Sequence, residues 1–114
     1  MPSSTSHIIP SESKTIAGLV KNKISLEDKT ASVILFGSRA RGDAENESDC
    51  DFLILTQQTD TDLLSDKLRR IILRDVELKH DVAISLIVKN ERLWRTDYAV
   101  TNIYKSINEE GILL

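Results

Sequence analysis

The chain has 114 residues, with 15 Lys and Arg against 18 Asp and Glu for a formal charge of −3, and is 40% hydrophobic and 29% charged. This is the composition of one soluble domain that can bury its apolar surface without disulfide or metal staples, and it excludes disordered, collagen-like and proline-rich classes. The acidic balance also argues against nucleic-acid binding through a broad basic face, although it leaves room for a local basic patch. In chain order, residues 1–10 are rich in Ser, Thr and Pro without apolar period, and are expected to form a flexible lead-in to a domain spanning 11–114. Ser11 is placed to cap a first helix, in which Ile16, Leu19, Val20 and Ile24 form one apolar stripe ending before Lys29. The β-branched run from Ala31 to Phe36 reads as a buried strand that stops at Gly37-Ser38. A polar stretch from Arg39 to Ser48 reads as a loop or short helical turn, and Cys50 to Thr56 as a second strand. From Asp60 or Thr61 to about His80, Leu64, Leu68, Ile71, Ile72 and Val76 follow helical spacing. Val82 to Val88 forms a third strand, and from Asn90 a closing helix carries Leu93, Trp94, Val100, Ile103, Tyr104 and Ile107 up to Gly111.

The order α-β-β-α-β-α predicts an α/β (α+β) domain with a small mixed sheet of three or four strands flanked by helices. The second and third strands, joined through a helix, are expected to be parallel, whereas the shorter link between the first two suits antiparallel neighbours. That topology brings Gly37-Ser38 beside Asp49-Cys50-Asp51. Cys50 has no second cysteine to pair with, which fits a reducing, cytoplasmic compartment. No apolar run approaches the roughly 18–20 residues that span a bilayer, and the first residues lack the pattern of a secretory signal.

Asp49 and Asp51 carry the chemistry. Residues two apart in a strand point to one face, roughly 6.5–7 Å apart along the backbone, so both carboxylates can converge on one hard divalent cation such as Mg²⁺. At the end of the preceding strand, Gly37 lets a phosphate approach the backbone, and Ser38 offers a hydroxyl and an N–H at the opening of a turn. Arg39 and Arg41 can add guanidinium contacts to phosphate oxygens. Asp-x-Asp alone is common at strand edges. What is specific is an apolar strand ending in Gly-Ser, ten residues, then Asp-x-Asp leading into another apolar strand.

Gly37-Ser38, the intervening Arg39-Ala40-Arg41-Gly42 and Asp49-Cys50-Asp51 together resemble the signature of the DNA polymerase β-like nucleotidyltransferases, in particular their small stand-alone minimal nucleotidyltransferase (MNT) domains. The resemblance covers essentially the whole domain and implies the nucleotidyltransferase fold. It also implies Mg²⁺-dependent transfer of a nucleoside monophosphate, AMP from ATP, to a hydroxyl with release of pyrophosphate. In that family pattern Asp49 and Asp51 hold the metal, and Gly37 and Ser38 bind the triphosphate. A third carboxylate belongs on the next strand. Asp81 at the start of the third strand is the candidate for this third metal-binding and catalytic acid, since parallel pairing puts it at the same sheet edge as Asp49, while setting the family pattern on the strand itself places Ser85 there; the two are about 13 Å of extended chain apart, so one slot cannot take both.

The remaining residues have mainly structural readings. His80 fits a helix end where it caps carbonyls, and Cys50 should point into the core. Trp94, Tyr98 and Tyr104 read as packing or interface residues. Lys67, Arg69, Arg70 and Arg74 read as a solvated helix face balanced by Asp66, Asp75 and Glu77, and Glu45 and Glu47 as loop solvation. A chain of this length leaves no room for a separate acceptor-gripping domain, and the resemblance implies a helical HEPN-type toxin as partner, with one of its tyrosines as an acceptor. Alternatives are an antitoxin that keeps the fold but acts by contact alone, and a nucleotide sensor. A homodimer stays open, as does a nucleic-acid acceptor, which the charge balance disfavours.

Overall fold

A computed structural model describes residues 11–42 and 49–114, with the side chains of residues 11 and 12 excluded. The lead-in, the capping role of Ser11, and Glu45 and Glu47 therefore lie outside the described residues. Helix α1 (Ser11–Glu27) is followed by β1 (Ser32–Phe36), the short α2 (Ser38–Arg41), β2 (Cys50–Thr56) and α3 (Thr61–Ile72). A π-helical turn (Leu73–Glu77) leads into α4 (Leu78–His80), then β3 (Ile84–Asn90), α5 (Glu91–Thr96), α6 (Asn102–Glu110) and β4 (Ile112–Leu113). The sheet has four strands in the order β3-β2-β1-β4. As the connections require, β1 and β2 are antiparallel and β2 and β3 parallel.

Alternation along β2 divides its side chains between two cores. Cys50, Phe52 and Ile54 join Val33 and Leu35 of β1 beneath α1 and α3, where Ile16, Val20, Ile24, Leu64, Leu68 and Ile72 close the layer. Leu53 and Leu55 face the other way, with Ile34, Trp94 and Ile107, beneath α5 and α6. Cys50 is thus a buried free thiol inside the first core, as its parity in the strand predicts. Burial on both faces explains why β2 reads as an almost continuous apolar run. Within β2 only Asp51, next to its start, escapes full burial.

The structure departs from the sequence reading in two helices and in the bounds of the third strand, which runs Ile84–Asn90 rather than Val82 to Val88, and it sets the strand count, expected as three or four, at four. The closing helix is two helices, because Thr101 adopts extended backbone and its hydroxyl accepts from the Tyr104 N–H, capping a new helix. After Gly111 the chain adds β4 against β1, which makes the fourth strand. Finally, the helix between β2 and β3 widens into the π turn before its end.

Of the two readings of the closing aromatics, packing is the one the structure shows. Trp94 is buried, and its ring lies 5.8 Å from that of Tyr98 and 5.2 Å from that of Tyr104. The Lys89 ammonium donates to the Tyr98 hydroxyl at 3.0 Å. The apolar residues left exposed there are Leu93, Val100 and Ile103.

At the sheet end opposite Gly37, the turn after α1 is fixed by Asp28. Its Oδ1 accepts from the Thr30 N–H at 2.9 Å and the Thr30 hydroxyl at 2.6 Å, and its Oδ2 from the Thr56 hydroxyl and, at 3.2 Å, the Gln58 amide. Burial raises its pKa, but the hydrogen bonds outweigh that effect and hold the carboxyl below the usual range. A lowered folded value contributes stability that is present above the unfolded carboxylate range and lost as pH falls. Asp28→Asn is expected to cost about 1–2 kcal/mol at pH 7. In thermal unfolding followed against pH, the gap to the parent protein should close below about pH 4.

Candidate active site

The site is built where β1 ends and β2 begins. Pairing register sets Phe36 opposite Asp51, and on the other side of β2 sets Asp51 beside Ser85 of β3. Phe36, Leu53 and Ile87 belong with the second core, so by alternation Asp51 and Ser85 share that face of the sheet. Asp51 is half-buried, whereas Asp49 and Ser85 are exposed.

Gly37 determines how closely the two strands can approach at this point. Its φ of 75° and ψ of −158° lie in a region that only glycine occupies without strain. A Cβ there would stand 2.5 Å from Asp51 Oδ2, well inside contact distance. The Asp51 carboxylate therefore leans against the bare Cα of Gly37. Directly after it, α2 begins at Ser38, with the Ala40 and Arg41 N–H groups both donating to the Gly37 carbonyl at 3.1 Å. The glycine, the opening turn and one carboxylate are thus brought together as the strand-end topology predicts.

The two arginines separate. Arg39 turns inward: it is 8% exposed, and its guanidinium donates to Ser13 Oγ at 3.0 Å, fastening α2 to the start of α1. Arg41 stays exposed and bridges to Glu110 at 3.0 Å, with its charge reaching Asp51. Asp51 is pushed above the ordinary carboxylate range, first by burial and then by the charge of Asp49, with Arg41 pulling the other way. Two acids close enough that the charge of Asp49 acts on Asp51, only partly neutralised by Arg41, form an all-oxygen donor set suited to a hard divalent ion.

Asp81 does not join them. It sits in left-handed conformation (φ 50°) at the end of α4, four residues before Ser85, and is exposed. Among the described residues no three acidic, His or Cys side chains converge closely enough to hold one metal ion. His80 is also exposed at the end of α4.

Glu77 carries a role that the reading as a solvating counter-charge missed. Burial raises its pKa, the hydrogen bond its carboxylate accepts from the Ile84 N–H lowers it, and the charge of Asp49 raises it again, for a net upward shift. The π turn delivers this acid to the start of β3, a placement that helical periodicity does not reveal. Arg69 also leaves the expected solvated face, donating to the Leu86 carbonyl at 2.9 Å on the open side of β3. Lys67 pairs with Glu27 of α1 at 2.7 Å rather than with its own helix.

Residues 16–114 match the nucleotidyltransferase domain family. The chain belongs to that family. It is 34% identical over 92 residues to the candidate protein adenylyltransferase MJ0604 of Methanocaldococcus jannaschii, a match covering 81% of this chain and 85% of that protein. A second candidate protein adenylyltransferase of the same organism, MJ0141, is 48% identical over 63 residues, which span 55% of this chain and 63% of that relative. Among solved structures, a candidate nucleotidyltransferase from Sulfolobus solfataricus superposes with a TM-score of 0.56 at 21% identity, over 90% of this chain and 82% of that one. A toxin-antitoxin structure with AMP-PNP gives a TM-score of 0.57 at 18% identity, over 83% and 69%. These likenesses confirm the nucleotidyltransferase fold. No helix among the described residues is long and apolar enough to cross a membrane.

Two consequences can be measured. Gly37→Ala should destabilise the fold by about 1–3 kcal/mol, read by chemical denaturation, because the new Cβ meets both a forbidden backbone region and Asp51. Asp51→Asn should do the reverse at neutral pH. An acid raised in the folded state contributes stability below its unfolded value and loses it as pH climbs through the folded value. Removing the charge should therefore raise Tm at pH 7 in metal-free buffer, and the gain should vanish at pH 3.

Proposed function

We propose that this nucleotidyltransferase-family protein transfers AMP from ATP to a hydroxyl, using Mg²⁺ held by Asp49 and Asp51. The observation that carries this reading is the close approach of the Asp51 carboxylate to Gly37, which sets one acid, with the charge of Asp49 reaching it, against the strand end that opens into α2. Ser38 offers its hydroxyl at the opening of α2, while the Cβ-free side of Gly37 is taken by the Asp51 carboxylate, which brings that acid up to the strand end. Arg41 lies on the same side and screens the charge of the incoming tail, whereas Arg39, buried against Ser13, holds the turn in place. The divalent ion would neutralise charge on the reacting phosphate and leaving pyrophosphate. An acceptor oxygen attacks the α-phosphorus, the bond to the β-phosphate oxygen breaks, and the acceptor proton passes to solvent or a nearby carboxylate.

The acceptor is a protein hydroxyl, with a tyrosine of a HEPN-type toxin as the specific candidate. Support comes from the two relatives named as candidate protein adenylyltransferases and from the toxin-antitoxin structural neighbour. The single buried thiol fits a cytoplasmic setting. A second reading, an antitoxin acting by contact alone, is favoured by the lack of a third converging carboxylate among the described residues.

Labelled ATP incubated with Mg²⁺, the protein and a candidate helical partner should give label on the partner. Asp49→Ala and Asp51→Ala combined should lower transfer by at least roughly 100-fold. Transfer surviving that double substitution contradicts the assigned roles, and full inhibition of the partner without nucleotide favours action by contact alone.

A further inference from the structure

We propose that Ser85, and no carboxylate of the described chain, stands at the third ligand position of this metal centre. The inference rests on the reading of Asp49 and Asp51 as ligands and deepens it. Parallel pairing places Ser85 in register with Asp51, on a neighbouring strand roughly 5 Å away. Alternation in β3 sends Leu86 and Val88 into the first core, leaving Ser85 on the opposite face, the one Asp51 occupies. It is exposed there. A side chain at this position is therefore the nearest that β3 can offer to an ion held by Asp51.

The competing acids are placed elsewhere. Asp81 lies four residues upstream in a left-handed turn, about 13 Å away if the chain were extended. Glu77 belongs to the helical layer of the first core, where its neighbour Val76 is buried, and its carboxylate is engaged by the Ile84 N–H. Neither converges with Asp49 and Asp51 into a three-ligand group.

Chemistry follows from the charge count. A serine hydroxyl is a neutral oxygen donor of the kind that also serves Mg²⁺ in phosphate-binding loops. Two carboxylates and a hydroxyl supply one negative charge fewer than three carboxylates, so the site binds a bare divalent ion weakly. The missing charge comes from the triphosphate. Metal and nucleotide then bind with strong mutual dependence, and the metal centre is weakly occupied until nucleotide is present.

Calorimetric titration of Mn²⁺ into the full chain, with and without a non-hydrolysable ATP analogue, tests this. The parent protein should bind Mn²⁺ at least about tenfold more tightly with the analogue present. Ser85→Asp should tighten nucleotide-free Mn²⁺ binding about tenfold, supplying the absent charge. Asp81→Asn and Glu77→Gln should stay within about twofold of the parent, whereas Asp51→Asn should abolish binding. The Ser85 assignment is overturned if Asp81→Asn or Glu77→Gln weakens binding as Asp51→Asn does, or if a folded Ser85→Asp protein binds no more tightly. Should Ser85→Asp fail to fold, the Asp81 and Glu77 variants decide alone. If Asp51→Asn leaves Mn²⁺ binding intact, the underlying metal reading fails instead.

Discussion

The missing β-carbon at Gly37 governs the geometry of this protein's candidate site. With any other residue there, the Asp51 carboxylate would have to turn away from the first strand's terminus, since the new atom would lie 2.5 Å from its Oδ2. The backbone at Gly37 also has a positive φ, so steric room and backbone conformation demand the same residue. The fold holds a charged group against the end of a strand, half-buried and beside a second acid, at some cost in stability. A carboxylate held at such a cost is characteristic of sites kept for binding.

The rest of the domain supports that corner. Burying β2 on both faces fixes its register, and a slip of one residue would exchange the two cores and turn Asp51 away from Gly37. On one flank, Arg39 ties α2 to α1 through Ser13. Across the corner, Arg41 joins α2 to the end of α6 through Glu110, so the chain's last helix steadies the only arginine near Asp51 that the described contacts leave exposed. At the other end of β1 and β2, the Asp28 network locks the turn that sets where β1 starts.

Much of this was legible in the sequence because it is local. Strand β2 was bounded correctly by its apolar run, and the inward direction of Cys50 followed from period two. The antiparallel and parallel pairings followed from connection length. What escaped depends on contacts across the chain. Arg39 looked like a phosphate ligand because its partner Ser13 is 26 residues away. Glu77 looked like a surface charge because a regular helix gives no sign of the π turn that redirects it. The break in the closing segment was hidden by apolar residues that continue helical spacing through it, and the signal that could have revealed it was Thr101 acting as a cap. The in-register pairing of Ser85 with Asp51, on which the choice between Ser85 and Asp81 turns, is a property of the sheet.

A crystal structure of the protein with Mn²⁺ and a non-hydrolysable ATP analogue tests the central claim most directly. The account predicts an anomalous manganese peak shared by the Asp49 and Asp51 carboxylates, with the triphosphate tail resting on Gly37 and Ser38. Manganese bound away from both aspartates, or a triphosphate seated elsewhere on the domain, would contradict it.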